Sequence, residues 1–238
     1  MSRFAKGPSV PPCPAELELV EETTGVVSFS LPPRATLSQQ LWGLDMCAEL
    51  PRRLSSDGVL VVPGELARIG SFLRTHYGLF AEEAQGCAPT PFIQRSKRAY
   101  LGASSDLIEL RHAGETVGVL IGAPEDWSSY YVRMFAMRAE YQRPGLVRRF
   151  VRECLFAPLA RCGVERVVAE TSPANIAMSH LFTELRFRVT GNLLSDRWGP
   201  LVRYTKFLAP ACEAEFLRKF GGGAPPRSSP DDDKEDLP

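Results

Sequence analysis

Residues 140–154, EYQRPGLVRRFVREC, set Arg148, Arg149 and Arg152 on a helix entered through Gly145, with Arg143 just ahead and no acid inside it before Glu153. A helix start carries about half a positive charge and ordinarily prefers Asp or Glu. Loading it with arginine has two explanations. Either an anion sits on the exposed N–H groups and the guanidinium groups help to hold it, or this is a solvated arginine face that tolerates a small dipole penalty. Gly145 favours the anion, because a residue without a Cβ lets a phosphate approach the backbone closely. A second cluster lies 30 residues further on: Asn175, Ala177, Leu181, Phe182, Leu185 and Phe187. On local sequence alone Asn175 reads as a turn or cap residue.

The elements that must carry these residues follow from periodicity and breakers. GVLVV (58–62) reads as a short buried strand, followed by a helix over 64–80. DLIELRH and ETVGVLIGA flank Ala113-Gly114 and read as a hairpin. The nearly all-apolar YYVRMFAMRA (130–139) suits a central strand covered on both faces. The Gly145 helix buries Val147, Val151, Cys154 and Leu155, is kinked by Pro158 and stops near Cys162 with Gly163 as its C′ residue. RVVAE (166–170) is a further strand. Ser172 as N-cap and Pro173 at the first helical position predict a helix to about Leu185. VTGNLLS and LVRYTKFL then flank DRWGP as a final hairpin. Upstream, ELELVEETTGVVSFSL (16–31) reads as two strands and 36–54 has loose helical spacing, whereas 84–105 has no clear period. The chain divides into a disordered 1–15, an extension 16–57, a domain 58–209 and a flexible acidic tail 210–238.

Composition narrows the class. The chain has 238 residues, 44% hydrophobic and 24% charged, with zero formal net charge, which is ordinary for a soluble globular protein. The last eight residues hold five acids and one lysine, so the rest carries the balancing positive excess. That excess is small and lacks interleaved aromatics, which disfavours nucleic acid as a partner. Six cysteines show no metal-ligand spacing and read as reduced thiols of a cytoplasmic protein, with no metal expected. The N-terminus has no apolar h-region, and runs such as VGVLIGA are too short to cross a bilayer, so no membrane association is expected.

The element order and the two local motifs resemble the GNAT superfamily of N-acetyltransferases. Gln142-Arg143-Pro144-Gly145-Leu146-Val147 is similar to that family's phosphate loop, matching its Gln and first Gly, with Val147 in place of the last small residue. The Asn175–Phe187 cluster is similar to its second motif. The resemblance covers about residues 58–208. It implies an α/β (α+β) fold in which a mixed, mostly antiparallel central sheet is flanked by helices and splayed between the domain's fourth strand (130–139) and fifth (166–170). It implies acetyl-CoA as acyl-donor co-substrate. The pyrophosphate would lie on Gln142, Arg143, Gly145, Leu146, Val147 and Arg148. The pantetheine amides would pair with Ala136 and Met137, and Asn175 would hydrogen-bond the pantetheine arm.

Amide formation from a thioester needs a neutral amine, an oxyanion donor and a proton for the leaving thiolate. Where many family members carry a Tyr on the second-motif helix, this chain has Phe182, which has no proton to give. Ser179 and Tyr204 are the substitute hydroxyls. Glu170 is the best-placed base or substrate-binding acid, with partnership to an arginine as its other reading; Asp126, His112 and His180 are weaker. The expected function is acyl-CoA-dependent transfer to a small-molecule or peptide amine by direct attack. The alternative is a non-catalytic acyl-CoA-binding protein on the same fold.

Overall fold

The computed structural model describes residues 35–54, 58–78, 91–142, 144–195 and 198–221. The strands expected in 16–31, the disordered start, Arg143 and the acidic stretch beyond 221 lie outside these described residues.

The sheet has eight strands in the order β1-β2-β3-β4-β5-β6-β8-β7. These are β1 Arg52–Arg53, β2 Leu60–Pro63, β3 Asp106–His112, β4 Glu115–Pro124, β5 Ser129–Met137, β6 Arg166–Thr171, β7 Arg188–Ser195 and β8 Gly199–Phe207. Every neighbouring pair is antiparallel except β5 and β6, which run parallel. A parallel pair needs a crossover, and a helical run supplies it: α4 Pro144–Phe150, a π-helical segment Val151–Phe156 and α5 Ala157–Arg161. The β3–β4 turn places Ala113 at φ 50° and Gly114 at φ 84°, the two left-handed residues that a two-residue hairpin demands.

Helices cover both faces. On one, Phe150, Leu155 and Leu159 pack against Leu110, Leu120, Tyr130 and Val167, with Phe135 stacked on Phe150 at 5.6 Å. On the other, Ile69, Phe72 and Leu73 of α2 (Leu66–Tyr77) cover Val119, Ile121 and Ala136. Leu44, Met46 and Leu54, upstream of β2, join the first core. At the start of α2 the wholly buried Glu109 carboxylate accepts hydrogen bonds from Glu65 N–H, Arg68, Arg111 and Thr116. Helix α1 (Leu37–Trp42) hangs on a second buried carboxylate, Asp106, through Thr36 at 3.2 Å and Ser38 at 2.5 Å.

Three local expectations differ. Helix in 36–54 is limited to α1: the Thr36–Gln39 capping box starts it and Gly43, at φ 63°, ends it after six residues. Residues 91–104 form helix α3 although they show no period, because QRSKRA separates the apolar pair Phe92-Ile93 from Tyr100-Leu101. Helix α6 spans Ile176–Glu184, not from Pro173. The Ser172 hydroxyl closes a turn on Ala174 N, and Asn175 caps the helix instead, its Oδ1 accepting from Met178 N at 3.2 Å.

Candidate active site

The parallel pair is short. β5 and β6 are joined only from Ser129–Val132 to Arg166–Ala169, and then part. Beyond that point β5 keeps β4 on one side and, among the described residues, has no strand on the other. Which main-chain groups face the opening follows from the ladder. Arg138 N–H donates to Val117 O at 2.9 Å, so Arg138/Val117 is a hydrogen-bonded pair. Antiparallel pairs alternate, so Ala136 also spends its N–H and C=O on Val119, while Phe135 and Met137 turn theirs to the open side. This corrects the expected pairing edge. Ala136 is committed to β4, and the groups turned to the open side belong to Phe135 and Met137.

The Met137 groups already have partners. The Tyr77 hydroxyl, at the end of α2, accepts from Met137 N–H at 3.0 Å and donates to Met137 O. Gln142 Nε2 also donates to Met137 O, at 2.6 Å. Gln142 therefore braces the end of β5 at the entrance of the loop.

The helical run starts just beyond. A side chain added at Gly145 would meet nothing within 4 Å, and its φ is not left-handed. Neither packing nor conformation requires glycine there; the open space above a helix start is what its absent Cβ preserves. Leu146 is half-buried, and Val147 is buried in the core, so only its main chain faces the opening. Carboxylates answer part of the arginine load. Arg149 pairs with Glu153 at 2.7 Å, Glu153 also holds Arg52, and Arg148 lies 3.7 Å from Glu184. Pro158 does not kink the run by breaking it. Its missing N–H leaves Cys154 O without the usual partner, and the turn before it widens to π geometry, with Ala157 N–H bonding Arg152 O.

The opening continues into a cleft of about 360 Å³ lined by Tyr131, Val132, Arg133 and Phe135 of β5, Val151 and Leu155 of the π segment, Glu170, Asn175, Phe182 and Trp198. Glu170 sits at the parting point. Its Oε2 accepts from the Tyr131 hydroxyl at 2.9 Å and its Oε1 from Arg203 at 2.9 Å; Arg203 also pairs with Glu125. Burial, together with the Glu170 carboxylate, pushes the Tyr131 phenol up to about 12, so it keeps its proton at neutral pH. Asn175 lines the cleft while its side-chain carbonyl serves as the α6 cap.

The other expected residues are placed differently. Tyr204 O–H donates to Ser179 Oγ at 3.2 Å, which brings those two together, but neither lines the cleft. Phe182 is buried between Phe187 and Tyr204, at 4.8 and 4.7 Å between ring centres. Asp126 is tied to its own turn through Ser128 N–H at 2.7 Å, His112 bonds Tyr141 at 2.8 Å, and His180 is exposed on α6. Burial drives the Cys154 thiol up to about 11, too high for a nucleophile at neutral pH. Tyr77, Tyr131 and Arg203 are the residues that sequence reasoning missed. Tyr77 has no motif, while Tyr131 and Arg203 stand on strands already recognised, Arg203 next to Tyr204.

Residues 73–187 match the model of the acetyltransferase (GNAT) family. No curated protein matches the chain in sequence. Solved structures that align include the ribosomal-protein-S18-alanine N-acetyltransferase from Escherichia coli, 17% identical over 63% of this chain and 94% of that one, TM-score 0.48. A GNAT acetyltransferase from Desulfovibrio desulfuricans aligns at 18% identity over 63% and 99%, TM-score 0.49. A Salmonella typhimurium acetyl transferase that modifies the N-terminal serine of 50S ribosomal subunit protein L7/L12 aligns at 13% over 65% and 96%, TM-score 0.48. Among the described residues, no helix is long and apolar enough to cross a membrane.

Proposed function

We propose that the chain, whose residues 73–187 match the acetyltransferase (GNAT) family model, is a member of that superfamily and transfers an acetyl group from acetyl-CoA to a primary amine by direct attack. One observation carries the reading. β5 presents main-chain groups at Phe135, with no strand partner among the described residues, to a cleft that opens beside an uncrowded helix start at Gly145. A pantetheine amide is the kind of group that completes a parted strand edge, and a pyrophosphate the kind that sits on free helical N–H groups. Phe135 and Met137 hold the pantetheine. Gly145, Leu146 and Val147 meet the pyrophosphate through their main chains, with Arg148 beside it and Asn175 along the arm.

The acceptor amine enters on the Glu170 side. Each Glu170 oxygen already accepts one hydrogen bond and retains a lone pair for an ammonium group. Glu170 takes the amine's proton directly or through water, the nitrogen attacks the thioester carbonyl, and CoA leaves as a thiolate. Among the described residues that line the cleft there is no cysteine to compete as a nucleophile.

A second reading, acyl-CoA binding without transfer, rests on Phe182, whose buried ring has no proton for the leaving thiolate. Two measurements decide. Calorimetric titration with acetyl-CoA is expected to give binding that Gly145→Glu abolishes without loss of folding. Thiol release with a panel of amines is expected to exceed the rate without acceptor. Tight acetyl-CoA binding with no thiol release for any amine favours the second reading.

A further inference from the structure

The charged groups around the cleft fall into two sets. Glu170, Arg203 and Glu125 form one connected network, two carboxylates on one guanidinium, with an excess of negative charge. Arg133 stands outside it. It is exposed, lines the same cleft and has no carboxylate partner among the described residues. Its guanidinium carbon lies 5.8 Å from the centre of the Tyr100 ring on α3, a platform that limits where the long side chain wanders.

Its backbone position is unusual too. Met134 pairs with Ile121 and Val132 with Gly122, so Arg133 is the extra, unpaired residue of a β-bulge. Bulges re-aim a side chain, and this one sits where the strands part. Val132 pairs with Ala169, so Arg133 and Glu170 are each one residue past the last rung. A guanidinium with Tyr100 but no described carboxylate beside it, and an acidic network, thus stand on opposite lips of the opening. Neighbouring strands are about 4.8 Å apart and separate from here on. That spacing suits an amine and an acid within one small molecule, or on adjacent residues of a peptide.

We propose that the acceptor is an amine that also carries a carboxylate, the amine docking on the Glu170 network and the carboxylate on Arg133. The proposal rests on the acyltransferase reading and adds the class of acceptor. Arg133 is a specificity residue: a guanidinium binds a carboxylate in bidentate fashion, and Tyr100 pre-orients it.

The test uses matched acceptors, with thiol release from acetyl-CoA giving kcat/KM. Glycine, β-alanine and 4-aminobutyrate are compared with ethylamine, propylamine and butylamine. Peptides with a free N-terminus and Glu, Gln or Lys at the second position form the other arm, so the two arms tell a free amino acid from a peptide. In the wild type the acid-bearing member of a pair is expected to lead by about ten- to a hundredfold, the worth of a hydrogen bond to a charged group. Arg133→Met brings that ratio close to one by slowing the acid-bearing acceptors, and Arg133→Glu reverses the peptide preference toward Lys. Thermal melting and acetyl-CoA titration of each variant check folding and donor binding. Equal rates for acid and neutral members in the wild type overturn the proposal while leaving acetyl transfer intact. So does an equal loss for both members in Arg133→Met, which puts Arg133 in donor binding or in the chemistry. Turnover of no acceptor by a protein that binds acetyl-CoA overturns the proposal together with the transfer reading.

Discussion

Tyr77→Phe sets stability against donor affinity. In the free protein one hydroxyl serves both polar groups of Met137, accepting from its N–H at 3.0 Å and donating to its carbonyl. Gln142 still reaches the carbonyl at 2.6 Å, so the N–H loses its only partner among the described residues in the variant. A hydrogen bond of this kind contributes about 1 kcal/mol net, which for a domain of this size lowers Tm by about 2–4 °C. An amide of bound acetyl-CoA at Met137 has to displace that hydroxyl. Removing it destabilises the free state and spares the complex, so acetyl-CoA affinity rises by about fivefold, the same 1 kcal/mol with opposite sign. Calorimetric titration gives Kd and a urea melt gives stability, with and without acetyl-CoA. Weaker acetyl-CoA binding in Tyr77→Phe refutes the reasoning, because the hydroxyl then belongs to the donor site instead of standing in its way. Unchanged Kd with lowered stability places the pantetheine away from Met137.

Other expectations follow from single contacts. Glu109→Ala leaves Arg68, Arg111, Thr116 and Glu65 N–H facing an apolar side chain, and a urea melt is expected to show a loss of about 3–5 kcal/mol. Burial pushes the Glu109 pKa up, but hydrogen bonds from Glu65 N–H, Arg111 and Thr116 outweigh it and hold the carboxyl below its usual 4.5. Its stabilisation is therefore present above that value and lost as pH falls below it, so an acid titration of Glu109→Gln should lie flatter than wild type. Arg186 sits at φ 58° after α6, where Phe187 N–H reaches back to Phe182 O at 2.8 Å. Arg186→Gly relieves that left-handed strain and should raise stability by about 1 kcal/mol in the same melt. Phe182→Tyr buries a phenol among rings, so thiol release should not increase and Tm should fall, whereas Glu170→Gln should lower turnover by about 10²–10⁴-fold.

What could be read from the chain follows where the physics is local. The β3–β4 hairpin was legible because Ala113-Gly114 separates two apolar runs, and the crossover because Gly145 and Gly163 bound one apolar stripe. The parting of β5 and β6 came only from resemblance, since no residue between Val132 and Met137 announces where a partner strand ends. The side of β5 that faces the opening was misplaced by one residue, at Ala136, because parity depends on the bulge at Arg133 and on the ladder to β4. Asn175 displaced Ser172 as cap because both carry capping side chains, and Ser172 was taken by the turn before it. The Tyr77 contact joins residues 60 apart in sequence and has no local pattern. The Arg203–Glu170 pair is of the same kind, since it follows from the β6–β8 register, which sequence spacing does not contain.

Amide hydrogen exchange, followed residue by residue with and without acetyl-CoA, tests the donor site most directly. The Phe135 N–H faces the opening without a strand partner, and the N–H groups of Gly145, Leu146 and Val147 stand in the first turn of the crossover helix. Acetyl-CoA is expected to slow exchange at those four amides together, and Gly145→Glu to abolish the effect. Binding that protects amides elsewhere and leaves Phe135 and the helix start unchanged would contradict the account.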